Sequence, residues 1–160
     1  MGKETTAEIL VTPEALKAML SHFRRELPRE ACGFLAGRNG LASRYYPIHN
    51  VTPARLGFLL DPNHVHRTET SVVRRNQRLL GLCHSHSEGE CHPSGWDITG
   101  SFFNFGLRLP LWTNKIQIIA QFENPDSPQV RGFRVSPDGL VEEVPLRVCS
   151  ENVGTSSTFP

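Results

Sequence analysis

The sequence predicts an α/β fold in which a mixed, mostly antiparallel sheet is flanked by helices, and three observations carry that reading. Short runs rich in β-branched, aromatic and other apolar residues punctuate the chain from end to end. Between them lie segments with apolar residues three and four apart, two of them opened by a capping residue followed by proline. No internal repeat is present, and 160 residues suffice for one domain with a sizeable core. We assign residues 1–149 to that domain and expect residues 150–160, small and polar, to fray.

The elements follow in order. Ala7 to Val11 is a short β-prone run, and Thr12-Pro13-Glu14 starts a helix with threonine as cap, proline in the first turn and an acid beside it. Ala15, Leu16, Met19, Leu20 and Phe23 form its apolar stripe, which ends near Leu27-Pro28. Cys32 to Gly37 (CGFLAG) and Ser43 to His49 pair as an antiparallel hairpin through Arg38-Asn39-Gly40. Leu56 to Leu60 reads as another strand, and Asp61-Pro62 opens a second helix through Asn76, on which His64 and His66 face solvent. Leu79 to Cys83 (LLGLC) is a buried-type strand running directly into His84-Ser85-His86. Ser94 caps a helix containing Asp97, Ile98 and Phe102; Lys115 to Phe122, Val130 to Val135 and Leu140 to Val144 are strands.

Composition narrows the function. Seventeen Lys plus Arg against sixteen Asp plus Glu leave a net charge of +1, without the basic field that drives nucleic-acid binding. No apolar run reaches membrane-spanning length, and four cysteines at 32, 83, 91 and 149 without a C-x-x-C pair suit a reducing cytoplasm.

Residues 83–97, CHSHSEGECHPSGWD, hold three of the seven histidines. His84 and His86 close an extended strand, where residues i and i+2 share a face, so both imidazoles can converge on one ion. Zinc accepts imidazole nitrogen and carboxylate oxygen, and a catalytic site uses three protein ligands with one position open. Asp97, at the start of the next helix, is the natural third ligand. Two other readings stay open: a closed structural zinc site that uses Cys83, Cys91 and His92, and a metal-free histidine-rich loop. Against the first, Cys83 alternates to the face opposite His84, and Cys91-His92 lacks paired knuckle spacing.

His84, His86, Ser94 and Asp97 match in full the pattern H-x-H, seven residues, S-x-x-D, which resembles the signature of the JAMM (MPN+) zinc metalloprotease family. Glu30, in PREACGFLAG, stands where that family carries an upstream glutamate, and FLLDP at 58–62 resembles the strand-to-helix junction of small prokaryotic members. The resemblance spans about Ile9 to Val144. It departs at Ser87, where members usually have proline, which should loosen the loop; Cys91 sits where deubiquitinating subunits of the proteasome lid and signalosome carry cysteine.

The resemblance implies the sandwich shared by MPN/JAB and cytidine-deaminase-like proteins, one zinc ion on His84, His86 and Asp97, Glu30 as general base, and Ser94 as a donor to the oxyanion. A plain helix cap accounts for Ser94 equally well. Glu88 and His92 are read as loop residues close to substrate, and Cys32 as strand packing. The implied substrate is a ubiquitin-like or sulfur-carrier protein, cut after its Gly-Gly tail; nucleic acid and membrane are not implied, and a homodimer is left open. The alternative is a non-catalytic MPN-type scaffold, whose known forms generally lose ligands. A small-molecule amide is a further alternative substrate.

Overall fold

The computed structural model describes residues 8–102 and 116–150. Among them run β1 (Ile9–Val11), α1 (Pro13–Glu26), β2 (Cys32–Arg38), β3 (Leu41–Ile48), α2 (Pro62–Arg74), β4 (Arg78–His86), α3 (Gly95–Phe102), β5 (Ile116–Gln121), β6 (Gln129–Val135), β7 (Val141–Val144) and β8 (Leu146–Val148). The strands form one sheet in the order β7-β6-β5-β4-β2-β3-β1-β8. β2/β3, β2/β4, β5/β6 and β6/β7 are antiparallel, while β1/β3, β1/β8 and β4/β5 are parallel. The expected mixed, mostly antiparallel sheet with flanking helices is the observed architecture.

Alternation along the central strands explains why helices cover both faces. Leu35 and Cys83 join Ala15, Met19 and Phe23 of α1 in one buried cluster, whereas their neighbours Phe34 and Leu82 join Val65 and Val72 of α2 in another. A strand buried on both sides must be apolar at nearly every position, as β2 and the Leu79–Cys83 stretch of β4 are. Fully burying a side chain such as Phe23, Met19 or Leu82 stabilises the fold by about 1.5–3 kcal/mol each.

The helix starts behave as their sequences require. Thr12 Oγ1 accepts from the Ala15 amide, and Asp61 Oδ1 accepts from those of Asn63 and His64. Asn39 and Gly40 turn the β2–β3 hairpin with φ of 52° and 78°, the left-handed pair of a tight two-residue turn. Gly33 is required by close approach: a Cβ there would collide with the Tyr45 ring.

Two expectations need correction, and one strand was missed. Leu56 to Leu60 is a loop with one isolated bridge, Asn50 to Leu60, because Gly57 takes φ of 86° and the Asn50 side chain binds the Leu59 amide in place of a ladder partner. His66 is exposed as expected, but His64 is half-buried and its Nδ1 accepts from the His49 amide at 3.0 Å. Strand β8 was not anticipated; its three residues are too few to show a period. The tail expected to fray lies, from residue 151 onward, outside the described residues.

Candidate metal centre and active site

The site is assembled at the C-terminal end of β4. His84, Ser85 and His86 are its last residues and all are buried. The two-residue period turns His84 and His86 to one face, with their Nε2 atoms 3.1 Å apart. Asp97, 3% exposed on the first turn of α3, brings Oδ2 to 3.3 Å from His84 Nε2 and 3.4 Å from His86 Nε2. Ligands ~2.0–2.1 Å from a tetrahedral zinc ion lie about 3.3–3.4 Å from one another. The three donors therefore trace one face of such a tetrahedron. Among the described residues this is the one cluster of metal-type donors.

Hydrogen bonding prepares two of the three donors, His86 and Asp97. His86 Nδ1 lies 2.8 Å from the Glu90 carbonyl, which can only accept, so Nδ1 carries the proton and Nε2 presents its lone pair to the centre. Asp97 Oδ2 accepts from the Ser94 amide at 2.8 Å, and the Asp97 amide donates to Ser94 Oγ at 3.2 Å. This reciprocal pair is a capping box with aspartate at its third position, and it locks the ligand to the start of α3. Gln117 of β5, fully buried, donates Nε2 to the Asp97 carbonyl at 2.8 Å.

The electrostatics match an anion held among imidazoles. Burial opposes ionisation of Asp97, but the neighbouring His84, the bonds from both imidazoles and the Ser94 amide hold its carboxyl well below the ordinary range. For His86, burial favours the neutral form, yet the bonds with Asp97 and the Glu90 carbonyl outweigh it and raise its pKa when no cation is bound.

Glu30 arrives by strand pairing. β2 runs antiparallel to β4 with Cys32 opposite His84, so the residue two before Cys32 reaches the level of His86. The approach is pinned by Ser85, whose amide donates to the Ala31 carbonyl at 3.0 Å and whose Oγ accepts from the Ala31 amide at 2.8 Å. Glu30 is 8% exposed; burial pushes its pKa up, against the nearby histidines and a hydrogen bond from the Gly57 amide. It shares with His86, Ser94 and Asp97 a cavity of about 700 Å³ whose apolar walls include Leu56, Phe58 and Trp96.

All five sequence-predicted residues, Glu30, His84, His86, Ser94 and Asp97, thus meet in one place. The cysteines do not join them. Cys83 packs under α1, and Cys91 is buried against Ile119 and Phe133, its thiol donating to the Ile119 carbonyl at 3.4 Å. Burial pushes the Cys91 thiol up and the Cys32 thiol to about 12, so neither is a ready thiolate. His92 stacks edge-on against Phe133 and, like Glu88, lines the cavity; Glu88 pairs with Arg55. Sequence reasoning missed Ser85, Gln117 and Asn50. Ser85 carried a signal, a polar residue that strand alternation turns away from the two histidines beside it.

A fold that sets three metal-type donors and a buried carboxylate beside one cavity, lined by Glu30, His86 and Asp97, has the parts of a metal-dependent hydrolase. Residues 12–107 match the family described as prokaryotic homologs of the JAB domain, and the chain belongs to that family. It is 25% identical to the CysO-cysteine peptidase of Mycobacterium bovis, over 94% of this chain and 98% of that protein. It is 35% identical to the probable TtuB-protein conjugate cleaving protease of Thermus thermophilus, over 56% of this chain and 62% of that protein. A protein of Desulfitobacterium hafniense shares the fold with a TM-score of 0.72 at 27% identity, covering 89% of this chain and 93% of its own.

Proposed function

We propose that the chain is a zinc-dependent peptidase that cuts the bond following the C-terminal Gly-Gly of a ubiquitin-like or sulfur-carrier protein. The observation that carries this is the 3.1–3.4 Å triangle of His84, His86 and Asp97 donors beside buried Glu30. The donor set, two imidazoles and a carboxylate, fits zinc in an open catalytic site. Zinc bound there supplies Lewis acidity, polarising the scissile carbonyl and lowering the pKa of water at the site.

The remaining work falls to the chain's own side chains. Glu30 accepts the proton of the attacking water and passes it to the departing amine; its burial raises its basicity toward that task. Ser94 Oγ accepts one hydrogen bond from the Asp97 amide and keeps its own proton, which it donates to the oxyanion forming on the carbonyl. Leu56, Phe58 and Trp96 receive the apolar part of the extended tail. Relatives named for a CysO–cysteine adduct and for TtuB conjugates support a carrier-protein substrate. A complete ligand set with its base speaks against the scaffold alternative. Four cysteines, none paired with another, suit a reducing cytoplasm, and no described helix is long and apolar enough to cross a membrane.

The test is incubation of the zinc-loaded protein with mycobacterial CysO bearing a C-terminal cysteine, followed by intact mass. Loss of one cysteine residue is expected. Glu30→Gln should retain about one zinc per chain while turnover falls ~10²–10⁴-fold, because the proton acceptor goes and no ligand does. Undiminished turnover in Glu30→Gln overturns the assigned chemistry.

A further inference from the structure

Asn50 follows β3 and is half-buried beside Glu30. Its Nδ2 donates to the carbonyls of Glu30 at 2.8 Å and Gly57 at 3.3 Å, while its Oδ1 accepts from the amides of Thr52 at 3.1 Å and Leu59 at 3.0 Å. A carboxamide has two donor hydrogens and two acceptor lone pairs, so every position is used. The orientation is unambiguous: a flipped amide would set its oxygen against two carbonyls and its nitrogen against two amides.

The consequence is a bridge between two segments. One planar side chain ties the backbone of Glu30 to three points on the 51–59 loop, at Thr52, Gly57 and Leu59. Gly57 reaches that geometry with φ of 86°, a conformation that costs glycine little. The Arg29 guanidinium donates to the Thr52 carbonyl, adding a second strap from the same approach segment. The approach segment is thereby fixed to the loop at the Glu30 backbone through Asn50 and, one residue earlier, through Arg29.

We infer that Asn50 is a positioning residue for the reaction: its carboxamide sets the placement of Glu30 by joining that residue's backbone to the 51–59 loop that walls the cavity. This rests on the reading of Glu30 as the base. None of the four hydrogen bonds of Asn50 goes to a metal donor, so losing the amide leaves the ligand triangle intact and shifts the base alone. A displacement of ~1 Å at a reacting group can cost ~10²-fold in rate.

The experiment uses zinc-loaded protein and CysO bearing a C-terminal cysteine. Asn50→Asp retains an acceptor for the Thr52 and Leu59 amides but abolishes donation to both carbonyls. It should keep about one zinc per chain and a KM within ~3-fold of wild type, while kcat falls ~10–10²-fold. Placed on Glu30→Gln and followed in single turnovers with enzyme in excess, Asn50→Asp should add less than ~2-fold, since residues acting as a unit are non-additive. Asn50→Gln, which keeps both amide functions on a longer stem, should recover part of the loss.

An unchanged kcat in Asn50→Asp, a loss confined to KM, or the same fold loss on the Glu30→Gln background overturns the inference. If Asn50→Asp does not melt cooperatively, Asn50→Ser is put through the same measurements and judged alike. Turnover surviving in Glu30→Gln itself would refute the reading of Glu30, whereas a dead Glu30→Gln beside a fully active Asn50→Asp would refute only the role of Asn50.

Discussion

Replacing Asp97 by asparagine separates the metal centre from the fold, because asparagine keeps the size and can still accept from the Ser94 amide while losing the charge that faces two imidazoles. Zinc binding only to the native state stabilises it by RT ln(1 + [Zn]/Kd), ~4.1 kcal/mol at a thousandfold excess over Kd. For a chain of this size 1 kcal/mol moves Tm by ~2–4 °C, so the wild type should gain ~8–16 °C on zinc addition. Losing a ligand should weaken the site at least as much as losing a supporting contact, ~100-fold at the upper end, leaving ~1.4 kcal/mol or ~3–6 °C. Thermal melts of metal-stripped protein titrated with zinc, paired with metal content, measure both.

The pH dependence gives the same substitution a second readout. Asp97 titrates below its ordinary 3.8 in the fold, so its contribution is present above that value and is lost as pH falls through the folded pKa. His86 titrates above its ordinary 6.5, so its contribution is full below 6.5 and is lost as pH rises through the folded pKa. Without metal, the wild type should exceed Asp97→Asn most between about pH 4 and 6.5, and less at pH 8. The zinc-induced gain should run the other way, because protons compete with the cation for His86 Nε2. An equal zinc gain in both proteins, or a wild-type gain that grows on acidification, would refute the assignment of Asp97 and His86 as ligands.

Ser94→Ala should lower Tm by ~2–4 °C through loss of a helix cap worth ~1 kcal/mol, and lower kcat ~10²-fold with zinc retained; full turnover would restrict Ser94 to capping. Ser85→Ala should cost ~1–3 kcal/mol by stranding the buried Ala31 amide, read as a lower urea midpoint at constant m. Trp96, 55% exposed at the cavity, should contribute to substrate binding alone, so that Trp96→Ala raises KM about fivefold, equivalent to ~1 kcal/mol, at unchanged kcat.

Local signals were legible wherever the physics is local. The Thr12-Pro13 and Asp61-Pro62 starts, the Asn39-Gly40 turn and the run of LLGLC into HSH all rest on contacts within a few residues, and all stand as expected. The Leu56 to Leu60 strand failed because side-chain bonds from Asn50 displaced a ladder, a competition that β-propensity does not describe. Glu30 is the sharper case: its residue type alone suggests a surface carboxylate, and only the resemblance pointed to it.

By itself the sequence determined the inventory and spacing of the site: two imidazoles one residue apart on a buried strand, and a serine and aspartate three apart at a helix start. Those follow from the periods of strand and helix, which every residue carries with it. Tertiary structure alone decided that Cys32 pairs with His84, which lifts Glu30 to the cavity, and that Cys91 is buried against Ile119 and Phe133 away from the donors. The reason is that register between segments some fifty residues apart is chosen by burying α1 and α2 against opposite faces of the sheet, a choice written in no single stretch of chain.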